Sequence, residues 1–150
     1  MNRIWKPNVT VAALIEREGR FLLVEEETED GLRFNQPAGH LDHGESLVAA
    51  CARETLEETA WVFRPTALVG IYLCPRPLSD ISYLRFAFSG ELGVHEEFRT
   101  LDTGIQRAVW MTADEIQATA QRHRSPLVWQ GVTDYLAGRR FPLTLVRHYD

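Results

Sequence analysis

The sequence predicts a sandwich of the α/β or α+β class, in which one long helix packs against a β-sheet. Two observations indicate this architecture. Apolar, β-branched runs and helical segments follow one another in the order strands, one central helix, strands, helices. The chain has 150 residues, of which 45% are hydrophobic and 25% are charged, a balance typical of a globular protein with one sizeable core. We therefore expect a single domain over residues 1–150.

The first half of the chain contains a hairpin, a loop and the central helix in the predicted order. Residues 9–15 and 21–24 are apolar, and the polar turn between them indicates a β-hairpin. The segment QPAG at 36–39 interrupts the apolar pattern and predicts a loop. The central helix is expected from about residue 45 to about residue 59. Further strands are predicted near residues 67–74, 81–90 and 106–111.

Two later helices have recognisable start signals. Thr112 and Glu115 form the S/T-x-x-E pattern of a capping box, so a helix should begin there. Ser125 precedes Pro126, which places a capping residue before a proline in the first helical turn. Gly138 is expected to end this last helix at about residue 137.

Charge and composition exclude several classes of protein. The net charge of -5 argues against a general nucleic-acid binder, which would usually carry a basic patch. The negative net charge does not argue against a phosphorylated substrate, because local arginines or a bound metal can supply positive charge. Cys51 and Cys74 are not spaced like a zinc site and are expected to be reduced thiols. No run approaches the roughly 20 apolar residues of a membrane span, so we expect a cytoplasmic protein without a membrane partner.

The predicted central helix carries three glutamates on one side. Glu54, Glu57 and Glu58 are spaced i, i+3 and i+4, so their carboxylates fall within an arc of about 100°. The opposite side, expected to pack against the sheet, carries Val48, Ala49, Ala52 and Leu56.

Three neighbouring carboxylates repel one another and raise each other's pKa values. A bound divalent cation resolves this conflict, and Mg²⁺ in particular prefers hard oxygen ligands. The alternative is a solvated acidic face that Arg53 partly compensates.

A glycine, four glutamates and an arginine form a single motif with characteristic spacing between residues 39 and 58. They are Gly39, Glu45, Arg53, Glu54, Glu57 and Glu58. This spacing resembles the Nudix box, and the chain resembles a Nudix hydrolase over most of its length. Two positions depart from the family pattern, because Thr55 replaces an aliphatic residue and Ala60 replaces a glycine at the helix terminus.

The resemblance implies an α/β/α sandwich around a mixed central β-sheet. It also implies Mg²⁺-dependent hydrolysis of phosphoanhydride bonds, with Mn²⁺ as a substitute. The implied metal ligands are Glu54, Glu57, Glu58 and the backbone carbonyl of Gly39. Glu54 would be a ligand, the catalytic base or both. Arg53 is implied as a catalytic residue that orients the glutamates, with Glu45 nearby.

Four further segments, at 6–12, 35–41, 84–86 and 124–128, resemble the NudJ-like phosphatase subgroup of the family. This subgroup is associated with nucleoside di- and triphosphates and with the pyrophosphates of thiamine and its pyrimidine precursor. Two alternatives stay open. One is a pyrophosphohydrolase for damaged nucleotides, dinucleoside polyphosphates or ADP-ribose, and the other is a catalytically silent module that binds nucleotides. A monomer and a homodimer are both compatible with the sequence.

Several residues outside the box are candidates for roles in the site. Arg85 lies in an apolar, strand-like run, where a charged side chain needs a partner. It is either a clamp for substrate phosphate or part of a structural ion pair. Glu96 or Glu97 could supply an extra metal ligand or base, although solvated loop positions are the alternative for both. His40 and His43 flank the box and are expected to have loop or surface roles, since Mg²⁺ prefers oxygen.

Overall fold

Two β-sheets and the helices packed on them form the described part of the chain, which is residues 3–150 of the computed structural model. The strands are β1 Asn8–Ala13, β2 Glu16–Arg17, β3 Arg20–Thr28, β4 Gly31–Asn35, β5 Ala38–His40, β6 Trp61–Pro75, β7 Ser82–His95, β8 Ile105–Thr112 and β9 Phe141–Pro142. The helices are α1 Leu47–Thr59, α2 Ala113–Ala118 and α3 Leu127–Leu136, with 3₁₀ turns at Ala120–Arg122 and Leu143–Leu145.

The first sheet is mixed, and the second is antiparallel. The first has the strand order β5-β1-β7-β6-β9, in which only the β1–β7 pair is parallel. In the second, β3 pairs with β2, β4 and β8. Both sheets pair strands that are distant in sequence, so long-range contacts define the fold.

The helices cover opposite faces of the strands. Val11 and Ala12 are consecutive in β1 and therefore point to opposite sides. Val11 packs in the apolar cluster that contains Cys51 of α1, whereas Ala12 packs in the cluster that contains Val128 and Val132 of α3. This layering confirms the predicted α/β/α sandwich with a mixed sheet. None of the described helices has the length and apolar character that a membrane crossing needs.

The predicted hairpin between residues 9–15 and 21–24 forms only next to its turn, where the Leu22 N–H donates to the Ile15 carbonyl. The turn exists at Glu18 and Gly19, which both have positive φ angles, but only the two-residue strand β2 pairs with β3 around it. Strand β1 instead lies in the other sheet, between β5 and β7. Its residues Val11 and Ala12 are both almost fully buried, which suits a central strand covered on both faces.

Helix α1 packs through a different face from the one predicted. Its buried residues are Ala50, Cys51, Thr55, Glu58 and Thr59. Ala49 is exposed, and Val48, Ala52 and Leu56 are only half-buried. The prediction followed hydrophobicity, whereas the helix contacts the sheet through mostly small side chains that allow close approach. Consequently Glu58 lies on the buried side of the helix.

The other local predictions differ mainly at element boundaries. The predicted loop at 36–39 contains the start of β5, whose Gly39 pairs with Val11. The capping box is confirmed, because the Glu115 N–H donates to the Thr112 hydroxyl and the Thr112 N–H donates to the Glu115 carboxylate. Gly138 follows the end of α3 with a φ of 82°, as its position predicted. Cys51 and Cys74 are both free.

Candidate active site

Capping interactions set where α1 begins and ends. The Ser46 hydroxyl accepts a hydrogen bond from the Ala49 N–H at 3.0 Å and caps the first turn. At the other end, Ala60 has φ 64° and ψ 13°, and its N–H donates to the Leu56 carbonyl. This is the left-handed position that usually holds glycine, so the alanine adopts it at a steric cost. The helix therefore ends in the way its sequence pattern requires despite the substitution.

Arg53 connects the glutamates of α1 to the preceding loop. Its guanidinium donates to both carboxylate oxygens of Glu45, at 2.7 and 2.9 Å. It also donates to Glu54 at 2.8 Å, to Glu57 at 3.2 Å and to the backbone carbonyl of His40 at 3.0 Å. The hydrogen bond from Arg53 lowers the pKa of Glu45. Arg53 thereby fixes the direction in which three carboxylates point.

Three carboxylates from two segments converge at the exposed end of this network. One oxygen each from Glu54, Glu57 and Asp102 lies within 4.8 Å of the others. The loop that carries Asp102 is held to the helix, because the Asp102 N–H donates to the Glu57 carbonyl at 3.0 Å. Such a group of hard oxygen donors suits a divalent cation.

Glu58 lies beside this group but is buried, with 8% of its surface exposed. One carboxylate oxygen accepts a hydrogen bond from the Ala38 N–H at 2.9 Å. Burial, together with the nearby carboxylates of Glu26, Glu54 and Asp102, raises the pKa of Glu58 to about 9, although the hydrogen bond from Ala38 acts in the opposite direction. Burial also raises the pKa of Glu54, although its hydrogen bond with Arg53 acts in the opposite direction. These carboxyl groups have lost water without gaining a full counter-charge, so a bound cation fits them.

Gly39 provides the space that Glu54 occupies. A Cβ atom built on Gly39 would lie 2.1 Å from the carboxylate carbon of Glu54. Any other residue would therefore push Glu54 away from the backbone of β5. The glycine requirement here comes from this close approach.

Arg85 is also buried and is held by two amide side chains. Its guanidinium donates to the side-chain oxygens of Gln36 and Asn35, at 3.1 Å each. Among residues 3–150, no carboxylate oxygen lies within 4.0 Å of it, so the predicted alternative of a direct ion pair is wrong. Burial lowers the pKa of Arg85 to about 10, which still leaves the group charged at neutral pH.

Comparison with known proteins identifies the family. The family model of the NUDIX domain matches residues 5–130 of the chain. The chain belongs to the Nudix hydrolase family. It is 37% identical over 147 residues to phosphatase NudJ of Escherichia coli strain K12, and the match covers 98% of this chain and 95% of that protein.

Solved structures agree with this assignment. A NUDIX hydrolase from Nitrosomonas europaea superposes with a TM-score of 0.93 and is 50% identical, and the match covers 96% of this chain and 98% of that one. A MutT NUDIX hydrolase from Burkholderia pseudomallei superposes with a TM-score of 0.74 at 16% identity, covering 87% of this chain and 98% of that one. The latter similarity shows the fold alone. The protein is therefore a Nudix hydrolase, an enzyme that acts on small phosphorylated substrates.

The Nudix box residues lie together as the pattern predicted, with one addition that the sequence did not reveal. The structure brings Asp102, rather than Glu96 or Glu97, next to the box glutamates. Glu96 forms an ion pair with Arg99 at 3.1 Å, and Glu97 is an exposed loop residue. Asp102 precedes β8 without any distinguishing motif, so only the path of its loop places it at the site.

His40 and His43 have the positions expected of them. Both histidines are exposed in this Nudix hydrolase. His40 contributes its backbone carbonyl to Arg53, and its ring contacts Tyr83 edge-on with the centroids 6.3 Å apart. Neither imidazole is part of the carboxylate group.

Proposed function

We propose that this Nudix hydrolase requires Mg²⁺ and cleaves phosphoanhydride bonds in nucleoside di- or triphosphates or in thiamine-type pyrophosphates. The observation that carries the proposal is the convergence of Glu54, Glu57 and Asp102 beside the buried carboxyl of Glu58. Four acidic groups held this close, in a partly dehydrated setting, are suited to binding a cation.

The residues proposed to hold the metal are Glu54, Glu57, Glu58 and the carbonyl of Gly39, with the carboxylate of Asp102 as a further candidate ligand. All of these ligands are oxygens, which suits Mg²⁺ and allows Mn²⁺ to substitute. A bound divalent ion would neutralise charge on the substrate phosphates and supply an activated water. Arg53 would keep Glu54 and Glu57 oriented toward it, and Glu54 would hold the metal, accept the proton of the attacking water, or do both.

Arg85 is the residue proposed to contact substrate phosphate. It is a buried cation for which the described part of the chain supplies only neutral hydrogen-bond acceptors. A phosphate group would supply the missing negative charge. The related Escherichia coli protein is named phosphatase NudJ, and this name favours substrates from which phosphate is released. A single domain over residues 1–150, a cytoplasmic location and a monomeric or homodimeric state stay predictions from the sequence.

A substrate panel tests the proposed chemistry. Phosphate and pyrophosphate release should be measured with nucleoside di- and triphosphates, thiamine-type pyrophosphates, dinucleoside polyphosphates, damaged nucleotides and ADP-ribose in the presence of Mg²⁺. EDTA should abolish hydrolysis, and Mg²⁺ or Mn²⁺ should restore it. Full activity in EDTA would contradict the metal requirement. A preference for ADP-ribose, dinucleoside polyphosphates or damaged nucleotides would replace the proposed substrates.

A conservative substitution tests Arg85. Arg85→Lys keeps the charge but loses the planar fork that pairs with two oxygens. We expect kcat/KM to fall at least tenfold for di- and triphosphates, with a smaller loss for ADP-ribose, whose phosphates are both esterified. Arg64→Lys, at an exposed position on β6, is the matched control and should leave kcat/KM unchanged. Normal kcat/KM in folded Arg85→Lys protein would remove Arg85 from the site.

A further inference from the structure

A row of polar side chains crosses the first sheet. His40 of β5, Thr10 of β1, Arg85 of β7 and Tyr72 of β6 are direct partners in register, so they lie on one face of the sheet. The row begins at the exposed His40 and passes the buried Thr10 and Arg85. It ends at Tyr72, whose hydroxyl donates to Asp134 at 2.6 Å. Thr10 and Arg85 therefore lie between a solvent-exposed histidine and a tyrosine that is hydrogen-bonded to helix α3.

Both middle members have hydrogen-bonding capacity that the protein leaves unused. A guanidinium has five N–H donors, and among the described residues Arg85 has only two acceptors, Asn35 and Gln36. Its register partner Thr10 is 7% exposed, and its hydroxyl oxygen is buried without a hydrogen-bond partner. Unmet buried polar groups are costly. Among residues 3–150, the Thr10 hydroxyl is the unmet buried group. Beside it, Arg85 has N–H donors that its two acceptors leave unused, so the pair indicates a place that a ligand completes.

The orientation of the Gln36 amide is fixed by helix α3. Gln36 is 1% exposed, and its side-chain NH₂ donates to the Val128 carbonyl at 2.8 Å. Because a carbonyl can only accept, the amide must present its oxygen to Arg85. Asn35 presents its side-chain oxygen to the other terminal nitrogen of the same guanidinium. The guanidinium is thus fixed in place by two neutral groups, and no carboxylate of residues 3–150 contacts it directly as a counter-ion.

We propose that Gln36 is a positioning residue that holds Arg85 ready for an unesterified terminal phosphate without neutralising its charge. The proposal rests on the proposed function. A terminal phosphate carries a charge of about −1.5 to −2 at neutral pH and has three strong acceptor oxygens. It therefore offers the anionic charge and the acceptors that the unused N–H groups of Arg85 and the Thr10 hydroxyl lack. A phosphate esterified on both sides has one charge and fewer free oxygens.

The proposal predicts a specific effect of a carboxylate at position 36. Gln36→Glu keeps the shape of the side chain but places an anion against Arg85, which then has an internal counter-ion that competes with phosphate. We expect KM for di- and triphosphates to rise at least tenfold while kcat stays within about threefold, since the carboxylates of α1 are untouched. Gln117→Glu, at an exposed position on α2, adds the same charge elsewhere and should leave KM unchanged.

A binding measurement separates this inference from the proposed function. Melting temperatures should be compared with and without inorganic pyrophosphate in EDTA, so that neither metal nor turnover contributes. Pyrophosphate should raise the melting temperature of the wild type and of Gln117→Glu but not that of Gln36→Glu. If Gln36→Glu does not fold, Asn35→Asp applies the same test through the other amide.

The outcomes distinguish the two proposals. An equal pyrophosphate shift in wild type and Gln36→Glu, or no shift in the wild type, overturns the inference about Gln36. The expected binding pattern in a protein that hydrolyses nothing in the substrate panel would support the role of Gln36 and overturn the proposed activity. Normal hydrolysis combined with an unchanged KM in Gln36→Glu would support the proposed activity and overturn the role of Gln36.

Discussion

The buried carboxyl of Glu58 should destabilise the metal-free protein as the pH rises. Burial raises the pKa of this group from 4.5 to about 9. Between these values the folded protein holds a proton that the unfolded chain has released. The stabilisation is therefore fully present below pH 4.5 and is lost as the pH rises toward 9. At pH 7, two and a half pH units at about 1.4 kcal/mol each give a cost of about 3.5 kcal/mol. About 3 kcal/mol of this arises between pH 4.5 and pH 7, because the unfolded carboxyl is already half ionised at pH 4.5.

Glu58→Gln removes this titration while keeping the side-chain oxygen that accepts from Ala38. In EDTA, the free energy of unfolding of the variant minus that of the wild type should increase by about 3 kcal/mol from pH 4.5 to pH 7. For a chain of this size, the gain corresponds to a difference of about 10 °C in melting temperature. Mg²⁺ should reduce this difference in melting temperature, because the ion stabilises the charged carboxylate of the wild type and loses one charged ligand in the variant.

Thermal unfolding followed by circular dichroism across this pH range, with EDTA and then with Mg²⁺, provides the assay. Glu97→Gln removes an exposed loop carboxylate and serves as the control, so its pH dependence should follow that of the wild type. The reasoning is refuted if Glu58→Gln melts no higher than the wild type at pH 7 in EDTA. It is refuted equally if Glu58→Gln and Glu97→Gln show the same pH dependence.

Three further substitutions test other parts of the site. Gly39→Ala should displace Glu54 and cut Mg²⁺-dependent kcat more than tenfold, and a titration that shows unchanged Mg²⁺ affinity and kcat would contradict the close packing seen here. Asp102→Asn should raise the Mg²⁺ concentration needed for half-maximal activity at least threefold, and an unchanged metal titration would exclude Asp102 from the metal site. Thr10→Val removes a buried hydroxyl without a partner and should stabilise the protein by about 1 kcal/mol, measured by urea unfolding. A clear loss of stability would show that the hydroxyl does have a partner.

The sequence predicted what depends on neighbouring residues in the chain. The helix was predictable, and so was the proximity of Glu54 and Glu57, because helical spacing alone places these two carboxylates side by side. The capping box at Thr112 was predictable for the same reason. The strand partners of β1 were not, because they depend on β7, about 75 residues away in the chain, rather than on the adjacent turn. Hydrophobicity also misjudged the buried face of α1, since that face carries Thr55 and Glu58.

The residues of the candidate site also differ in how far the sequence could identify them. The arginine and glutamates of the Nudix box follow from local spacing, whereas Asp102 reaches them only through the path of a loop. The position of Arg85 in an apolar strand indicated that it needed partners. Those partners, Asn35 and Gln36, are 50 and 49 residues away and are neutral, so they could not be chosen from the sequence over a carboxylate.

The short segment from Asn35 to Gly39 sets the spacing between Arg85 and the glutamates of the candidate site. Gln36 holds Arg85, Ala38 holds Glu58, and Gly39 abuts Glu54. Two residues of extended chain span at most about 7 Å, so the backbone points that anchor Arg85 and Glu58 have a fixed maximum separation. Inserting or deleting one residue between Gln36 and Ala38 would change this spacing by about 3.5 Å and turn the following side chains to the other face of the strand. Families of related enzymes should therefore vary the residues of this segment more readily than its length.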